Sequence, residues 1–419
     1  MHKKSVVLLI TLLILIALLF TACKPAVEET AAPQAKLEEV APEEKEAEPE
    51  QPASKEPIKF GVIQPLTGPV ADAGAYVVSG LKIGVDKINA EGGVCGRQLE
   101  PIIMDGKNDP QESVNAAELL ITRDGVPIIM GAWGSSSTLA VMPVMERNGV
   151  PLIVETSSSG KITTPGTPGF DWTYRFSPMS LMESEAAAPY IVDKLGMTKV
   201  AILNVNNDWG RGAAEVFTNV IVANGGEIVS EDFIEQTTTD VLPQLTSIKN
   251  SNADSILITT GAGQIATILK QYKELGMTQT VLTTGGSNYP VAIMNLSSAE
   301  IAEGTYHLVF YVPSEYDLAG DPAVAKWYFE EYYKRGLPDV GLGESYRGFD
   351  GVHVIAQAME LAGCDLSPEA LQAAIPLVEF KGLSGTVKFD EREGHQSRPN
   401  VYLTKIENGV MVVPDFQFD

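Results

Sequence analysis

From Ile58 onward the chain alternates between two apolar patterns. Short, nearly continuous apolar runs are separated by longer stretches in which apolar residues recur every three or four positions. The runs predict strands at Ile58–Gln64, Leu99–Met104, Val126–Met130 and Pro151–Glu155, and the stretches between them predict helices at Tyr76–Ala90, Gln111–Arg123 and Ser136–Asn148. The alternation then restarts, with helices at Ser184–Leu195, Gly210–Ala223, Leu242–Ser251 and Gln264–Leu275 and strands at Lys199–Val205, Glu227–Phe233, Asp254–Thr260 and Thr280–Thr283. Ile88-Asn89-Ala90-Glu91-Gly92-Gly93 in the first half and Ile221-Val222-Ala223-Asn224-Gly225-Gly226 in the second both close a helix with glycines before the next strand. Strands alternating with helices signify parallel sheets covered on both faces, so the expected fold class is α/β, with two doubly wound parallel-sheet lobes. After Pro313 come long helices, Pro322–Arg335 and Ser345–Leu361, and then short β-like runs from Gly385. That order suits a chain recrossing between lobes rather than a third domain.

The N-terminal part has another character. Lys3 and Lys4 precede an apolar run from Val6 to Phe20 that ends in the small residues Thr21 and Ala22. This is the layout of a secretory signal, and its apolar core is shorter than the ~20 residues that cross a bilayer permanently. Phe20-Thr21-Ala22-Cys23 resembles the lipobox of bacterial lipoproteins, although Leu is usual where Phe20 stands. The resemblance implies a signal over residues 1–22, cleavage before Cys23, and acylation of that cysteine to give an exported protein held on the outer side of a membrane. From Lys24 to Glu56 there are five prolines, repeated glutamates and no aromatic residue. Such a composition cannot bury enough apolar surface to offset ordering, so residues 23–56 read as an extended acidic linker.

Charge narrows the function. The formal net charge is −24, and no basic stripe is present to displace counterions from nucleic acid. Besides Cys23, the cysteines are Cys95 and Cys364, which the sequence leaves either paired or free. His2, His307, His353 and His395 are scattered without ligand spacing, so no metal site or cofactor is expected, and His353, at a helical position, reads as packed or surface-lying.

In open parallel sheets, ligands bind where strand ends run into helix N-termini. The richest such junction is Met130-Gly131-Ala132-Trp133-Gly134-Ser135-Ser136-Ser137-Thr138. Its glycines let the backbone approach a ligand, while the serines bring hydroxyls and free amides suited to an anion. The next strand ends in a second hydroxyl-rich loop, Glu155-Thr156-Ser157-Ser158-Ser159-Gly160. One such loop is ordinary helix capping, whereas two at neighbouring strand ends form a polar cradle.

With these pieces assembled, the core from Ile58 to about Lys405 resembles the branched-chain amino acid binding family of ABC-transporter receptors. The matching segments are Gly61-Val62-Ile63-Gln64-Pro65-Leu66-Thr67-Gly68-Pro69, Ile88-Asn89-Ala90-Glu91-Gly92-Gly93-Val94, Asp109-Pro110, Gly134-Ser135-Ser136-Ser137-Thr138 and Asn207-Asp208-Trp209-Gly210-Arg211-Gly212. The resemblance implies the type I periplasmic binding protein fold, two lobes joined by a three-segment hinge. One lobe would comprise residues 57–177 and 311–385, the other residues 178–310 and 386–419. It also implies that Ser135 holds a ligand carboxylate, that Thr156 and Ser158 hold the head group, and that Trp209 closes over it from the second lobe. The implied partners are a small solute and a membrane permease of the ABC type, with the receptor acting as a monomer; a sensory receptor of the same fold is the alternative.

Departures from the family pattern concern the ligand. Where amino acid binders carry an acid for the ligand ammonium, this chain has Gly285, in Thr283-Thr284-Gly285-Gly286-Ser287-Asn288-Tyr289. A desolvated ammonium without a counter-charge costs several kcal/mol. Either Glu155, Asp208 or Glu344 substitutes, or the ligand is a carboxylate or amide without an amino group. Ala73 and Gly261 replace larger family residues, which leaves room for a bulkier ligand walled by Trp133, Trp209 and Tyr289. Asn108 and Gly134 stand where the family has a disulfide.

Two enzyme-like motifs carry little weight. Ser158-Ser159-Gly160-Lys161 fits Ser-x-x-Lys but lacks its companion motifs, and Gly261-Ala262-Gly263-Gln264-Ile265-Ala266 fits a dinucleotide fingerprint without the acid that should end the next strand. No catalytic constellation is present, so the reading is a binding protein and not an enzyme.

Overall fold

The first strand shows why parallel sheets form. In Ile58–Gln64 (β1) every side chain except that of Lys59 is buried, which requires cover on both faces of the sheet. The structure is a computed structural model that describes residues 56–286 and 290–417. The expected signal, Cys23 and almost all of the expected linker lie outside the described residues, as does Tyr289.

The first lobe runs β1, α1 (Ala71–Ala90), β2 (Leu99–Asp105), α2 (Pro110–Thr122), β3 (Ile129–Met130), α3 (Ser135–Asn148), β4 (Leu152–Val154) and β5 (Thr173–Arg175). The chain then builds a second lobe from α4 (Ser180–Ile191), β6 (Lys199–Val205), α5 (Asp208–Ala223), β7 (Glu227–Ile234), α6 (Leu242–Asn250), β8 (Ser255–Thr259), α7 (Ala262–Glu274), β9 (Thr280–Thr283), α8 (Pro290–Leu296), α9 (Ala299–Ala302) and β10 (Tyr306–Val309). It returns to the first lobe for α10 (Pro322–Lys334), α11 (Leu342–Leu361), α12 (Pro368–Ala374), β11 (Glu379–Gly382), β12 (Gly385–Glu391) and β13 (Gln396–Ser397), then recrosses for β14 (Tyr402–Glu407) and β15 (Val410–Val412).

The strand orders are β11-β12-β13-β5-β4-β3-β1-β2 and β15-β14-β10-β9-β8-β6-β7. In each lobe the first-built strand lies between the second and third, so the order reverses at β1 in one sheet and at β6 in the other. A crevice opens at that reversal, outside the carboxyl ends of the strands. The sheets are mixed rather than wholly parallel, since β12 pairs antiparallel with both β11 and β13, and β14 pairs antiparallel with both β10 and β15.

Three segments cross between the lobes: after Arg175, after Val309 and after Ser397. The last corrects the expected boundary at residue 385. β12 and β13 belong to the first sheet, where β13 lies parallel to β5 with Gln396 opposite Arg175. The alternating pattern of β12 marks a strand with one buried face, and that pattern fits either sheet edge equally well.

Several helices begin earlier than the apolar periodicity marks, because small or polar residues interrupt the apolar repeat in their first turns. α1 starts at Ala71, α4 at Ser180 and α11 at Leu342. α1 and α11 pack so closely that a β-carbon on Gly80 would meet the Ser345 carbonyl oxygen at 1.7 Å. Beyond their C-termini Cys95 and Cys364 form a disulfide, which settles the pairing that the sequence left open.

Candidate functional site

Three loops of the first lobe and four of the second converge at the crevice. Asn108, Trp133, Gly134, Ser135, Thr156, Ser157 and Ser158 face Val205, Asn207, Trp209, Gln236, Thr260, Gly261 and Gly285 around a small, mostly filled cavity. α3 and α7 enter from opposite lobes, and each is capped by a glycine, Gly134 and Gly261, that supplies no side-chain acceptor. By contrast, Asp109 caps α2 by accepting from the Glu112 amide, and Asn207 caps α5 by accepting from that of Gly210. Uncapped N-termini on both walls leave amide donors and the positive ends of two helix dipoles directed at the crevice.

The first-lobe cradle is fastened from behind. Ser157 Oγ donates to the Trp133 carbonyl at 2.8 Å and lies 2.7 Å from Thr138 Oγ1, which ties the two hydroxyl-rich loops together. Ser135 Oγ accepts from the Ser159 amide at 3.2 Å, so its own proton is available to a ligand. Ser158 Oγ donates to the Thr156 carbonyl at 3.3 Å. Trp133 sits at φ 64°, in the left-handed region that side-chain-bearing residues rarely adopt, and its indole walls the cavity.

Two fully buried arginines hold the Glu155–Gly160 loop by its carbonyls. Arg175 Nη1 donates to Ser157 O at 3.0 Å and Ser159 O at 2.7 Å, and Arg347 Nη1 donates to Glu155 O at 3.0 Å. Neither arginine stands out in sequence, since each lies within an apolar element. Burial, aided by the positive charge of Arg392, lowers the Arg175 guanidinium to about 9.

The three candidate acids have separate fates. Glu155 is fully buried beneath the loop, where Oε1 accepts from Gln64 Nε2 at 2.7 Å and burial pushes the carboxyl up to about 7. It does not line the crevice. Asp208 accepts from Ser136 Oγ at 3.0 Å and pairs with Lys161 Nζ at 3.0 Å, both from the opposite lobe. Asp208 and Ser136 therefore form a latch at the crevice mouth rather than head-group contacts, and Asn108 Nδ2 donates to Gln236 Oε1 across the same mouth. Glu344 lines a second, larger cavity beside the first.

That second cavity measures about 330 Å³ and shares Trp133, Gln236, Thr260 and Gly261 with the first. Pro69, Val70, Ala73 and Tyr76 bound it on one side and Ala292 and Leu296 on the other. The small residues Ala73 and Gly261 thus face open space, in keeping with the room their size suggests.

Gly285 lines the first cavity at φ +100°, and a β-carbon there would stand 2.1 Å from Trp209 Cζ2. The indole occupies the space that a side chain at 285 would need. Gly285 N donates to Glu183 Oε1, and burial pushes the Glu183 carboxyl up to about 7. Sequence reasoning missed Glu183, whose only signal, an acid in a helix first turn, reads as ordinary dipole compensation. His353 stacks on Phe380, packed in the first lobe away from the crevice. Among the described residues, no group of three His, Cys, Asp or Glu side chains could hold a metal ion, and no helix is long and apolar enough to cross a membrane.

A hinged pair of α/β lobes with an anion-suited cradle at the strand ends defines a solute receptor. Residues 57–410 match the periplasmic binding protein family, and the chain belongs to it. It is 25% identical over 365 residues to the Leu/Ile/Val-binding protein BraC3 of Rhizobium johnstonii, spanning 87% of this chain and 95% of that one. It is 24% identical to the leucine-, isoleucine-, valine-, threonine- and alanine-binding protein of Pseudomonas aeruginosa, over 80% of this chain and 86% of that one. Among solved structures, the leucine binding protein LivK of Thermotoga maritima matches with a TM-score of 0.75 and 26% identity, covering 85% of this chain and 97% of that one. An ABC-transporter solute binding protein of Rhodopseudomonas palustris BisB5, in complex with 3,4-dihydroxy benzoic acid, matches with a TM-score of 0.73 and 25% identity, covering 83% and 92%.

Proposed function

We propose that this chain is the extracytoplasmic solute-binding component of an ABC importer whose ligand carries a carboxylate, lacks an α-ammonium group and extends a sizeable tail. The relatives include receptors named for branched-chain amino acids and one bound to an aromatic acid, so both ligand classes occur on this scaffold. The observation that carries the choice is the Trp209 indole seated over Gly285. It leaves position 285 itself without an acid and without room for one, and the Glu183 carboxyl behind it is taken up by the Gly285 amide. The carboxylate end would rest on Ser135, Thr156 and Ser158 between the α3 and α7 N-termini, and the tail would enter the larger cavity past Trp133.

Ligand binding between the lobes stabilises the closed form only by the contacts that the open form cannot make. The Ser136–Asp208–Lys161 latch and the Asn108–Gln236 hydrogen bond belong to that closed form. A permease that reads closure would thereby read occupancy.

Calorimetry of the purified protein with leucine, isoleucine, valine, the corresponding keto acids and benzoate tests the reading. Tighter binding of keto acids or benzoate than of the amino acids is expected, as is a loss on Ser135→Ala of roughly tenfold or more in a protein that stays folded, given ~1.5–3 kcal/mol for a charge-assisted hydrogen bond. Micromolar leucine binding with keto acids excluded would overturn it. Anchoring through acylated Cys23 belongs to the same reading, and metabolic labelling with palmitate, lost in Cys23→Ala, tests that part.

A further inference from the structure

The larger cavity has a one-sided electrostatic lining. Asp72 and Glu344 contribute to its wall, and among the described residues no lysine, arginine or histidine does. Glu344 is 3% exposed; its Oε2 accepts from Arg347 Nε at 3.1 Å, while its Oε1 is buried without a hydrogen-bond partner. A buried carboxylate oxygen left unpaired is costly, and the residue that carries it contributes to the wall of a space large enough to admit a partner.

The charge behind Glu344 points the same way. Arg347 is surrounded by Glu344, Glu155 and Glu183, three carboxyls around one guanidinium, and Glu155 and Glu183 also carry an unpartnered buried oxygen. If all ionise, the cluster keeps an excess of negative charge in a low-dielectric interior. Of the three, Glu344 lines the larger cavity, whereas Glu155 and Glu183 line neither of the two. Trp133 and Tyr76 bring aromatic rings to the same wall, a second kind of surface that attracts cations.

We propose that the larger cavity is a subsite for a cationic group at the far end of the ligand, with Glu344 as its principal partner and Asp72 at the rim. This rests on the carboxylate reading of the cradle and deepens it, because the amino group that Gly285 cannot accept beside the carboxylate is received at the other end. The ligand class is then an ω-amino or quaternary-ammonium carboxylate rather than an α-amino acid. Glu344 donates no proton in this arrangement: its ionised carboxylate accepts from the ligand cation while Arg347 holds the other oxygen.

Matched pairs test it on the purified full-length protein: ε-aminocaproate against caproate, and para-aminomethylbenzoate against para-toluate. In at least one pair the amine should bind about tenfold tighter or better, as expected for a desolvated charge-assisted contact. Glu344→Gln should abolish that preference, and Asp72→Asn, at an exposed position, should reduce the preference by about two- to threefold. The Asp72 variant keeps the test decisive should Glu344→Gln fold poorly. Binding of the plain acids, weakened by Ser135→Ala but without preference for the amines, would overturn the subsite and leave the cradle reading standing. An amine preference that survives Glu344→Gln would also overturn it. Binding of neither member of any pair would overturn the subsite and the cradle reading together.

Discussion

The Trp209 ring and the Gly285 backbone exclude a side chain between them, with only 2.1 Å from Trp209 Cζ2 to where a Gly285 β-carbon would stand. The left-handed φ of +100° at Gly285 is a second reason for glycine there. The indole and the glycine are one feature of the site, and neither residue can change alone. Gly285→Ala should therefore weaken binding of the preferred carboxylate at least tenfold without unfolding the protein. Adding Trp209→Ala should recover part of the loss, a coupling of about 1 kcal/mol or more measurable by a double-mutant cycle in calorimetry.

Closure should depend on Asp208 more than on Lys161. The Lys161 side chain is 69% exposed, and such ion pairs contribute ~0–1 kcal/mol. Asp208 also accepts the Ser136 hydrogen bond, so Asp208→Ala removes both contacts. Stopped-flow measurements should show ligand release about five- to thirtyfold faster for Asp208→Ala and no more than about threefold faster for Lys161→Ala, with the Lys161 effect vanishing at high salt.

Stability should fall on the alkaline side. Glu155, Glu183 and Glu344 are each raised to about 7 by burial, and the folded state therefore holds protons that the unfolded chain has already lost. Their contribution is complete below the unfolded carboxyl value and is lost as pH rises through about 7. His307 and His353 act oppositely, because burial lowers them to about 3 and about 4, and their contribution is lost only as pH falls below the unfolded histidine value. Above pH ~6.5 the glutamates act alone, and stability should drop by roughly 1–3 kcal/mol by pH ~8. Glu183→Gln should flatten that slope in denaturant titrations run across this range.

Reducing the Cys95–Cys364 disulfide should lower stability without touching the ligand. The linked cysteines are 269 residues apart in sequence, so the bridge constrains most of the unfolded chain and contributes about 2–5 kcal/mol. It joins the two helices beyond their C-termini, while Ala73 and Glu344, near their N-termini, line the larger cavity. Thermal melts with and without reductant should separate, and the affinities measured alongside should agree within about twofold.

Much of the architecture is legible in the chain because it rests on local patterns. The continuous apolar runs of β1 and β6 announce strands buried on both faces, and the glycine-closed helices before β2 and β7 mark the two repeats. The cradle is legible too, since glycines and serines between a strand and a helix are chemistry that a sequence shows directly. Ser135, Thr156, Ser158, Trp133, Trp209, Gly261 and Gly285 all lie on the crevice wall. Ser136, Glu155 and Asp208 have the right composition and neighbourhood but are claimed by other partners, and composition does not reveal which partner a hydroxyl or carboxylate finds.

The sequence by itself determined most of the alternating elements, their order, the two-lobe class and the loops that line the crevice, because hydrophobic periodicity and backbone-permissive residues act over a few positions. Only the tertiary structure decided that β12 and β13 extend the first sheet, that Arg175 and Arg347 brace the cradle, that Glu183 reaches Gly285, and that Glu344, paired with Arg347, contributes to the wall of a cavity. These relationships join residues tens to hundreds of positions apart. They are fixed by packing and by the demand that buried polar groups find partners, conditions imposed only once the chain has closed on itself.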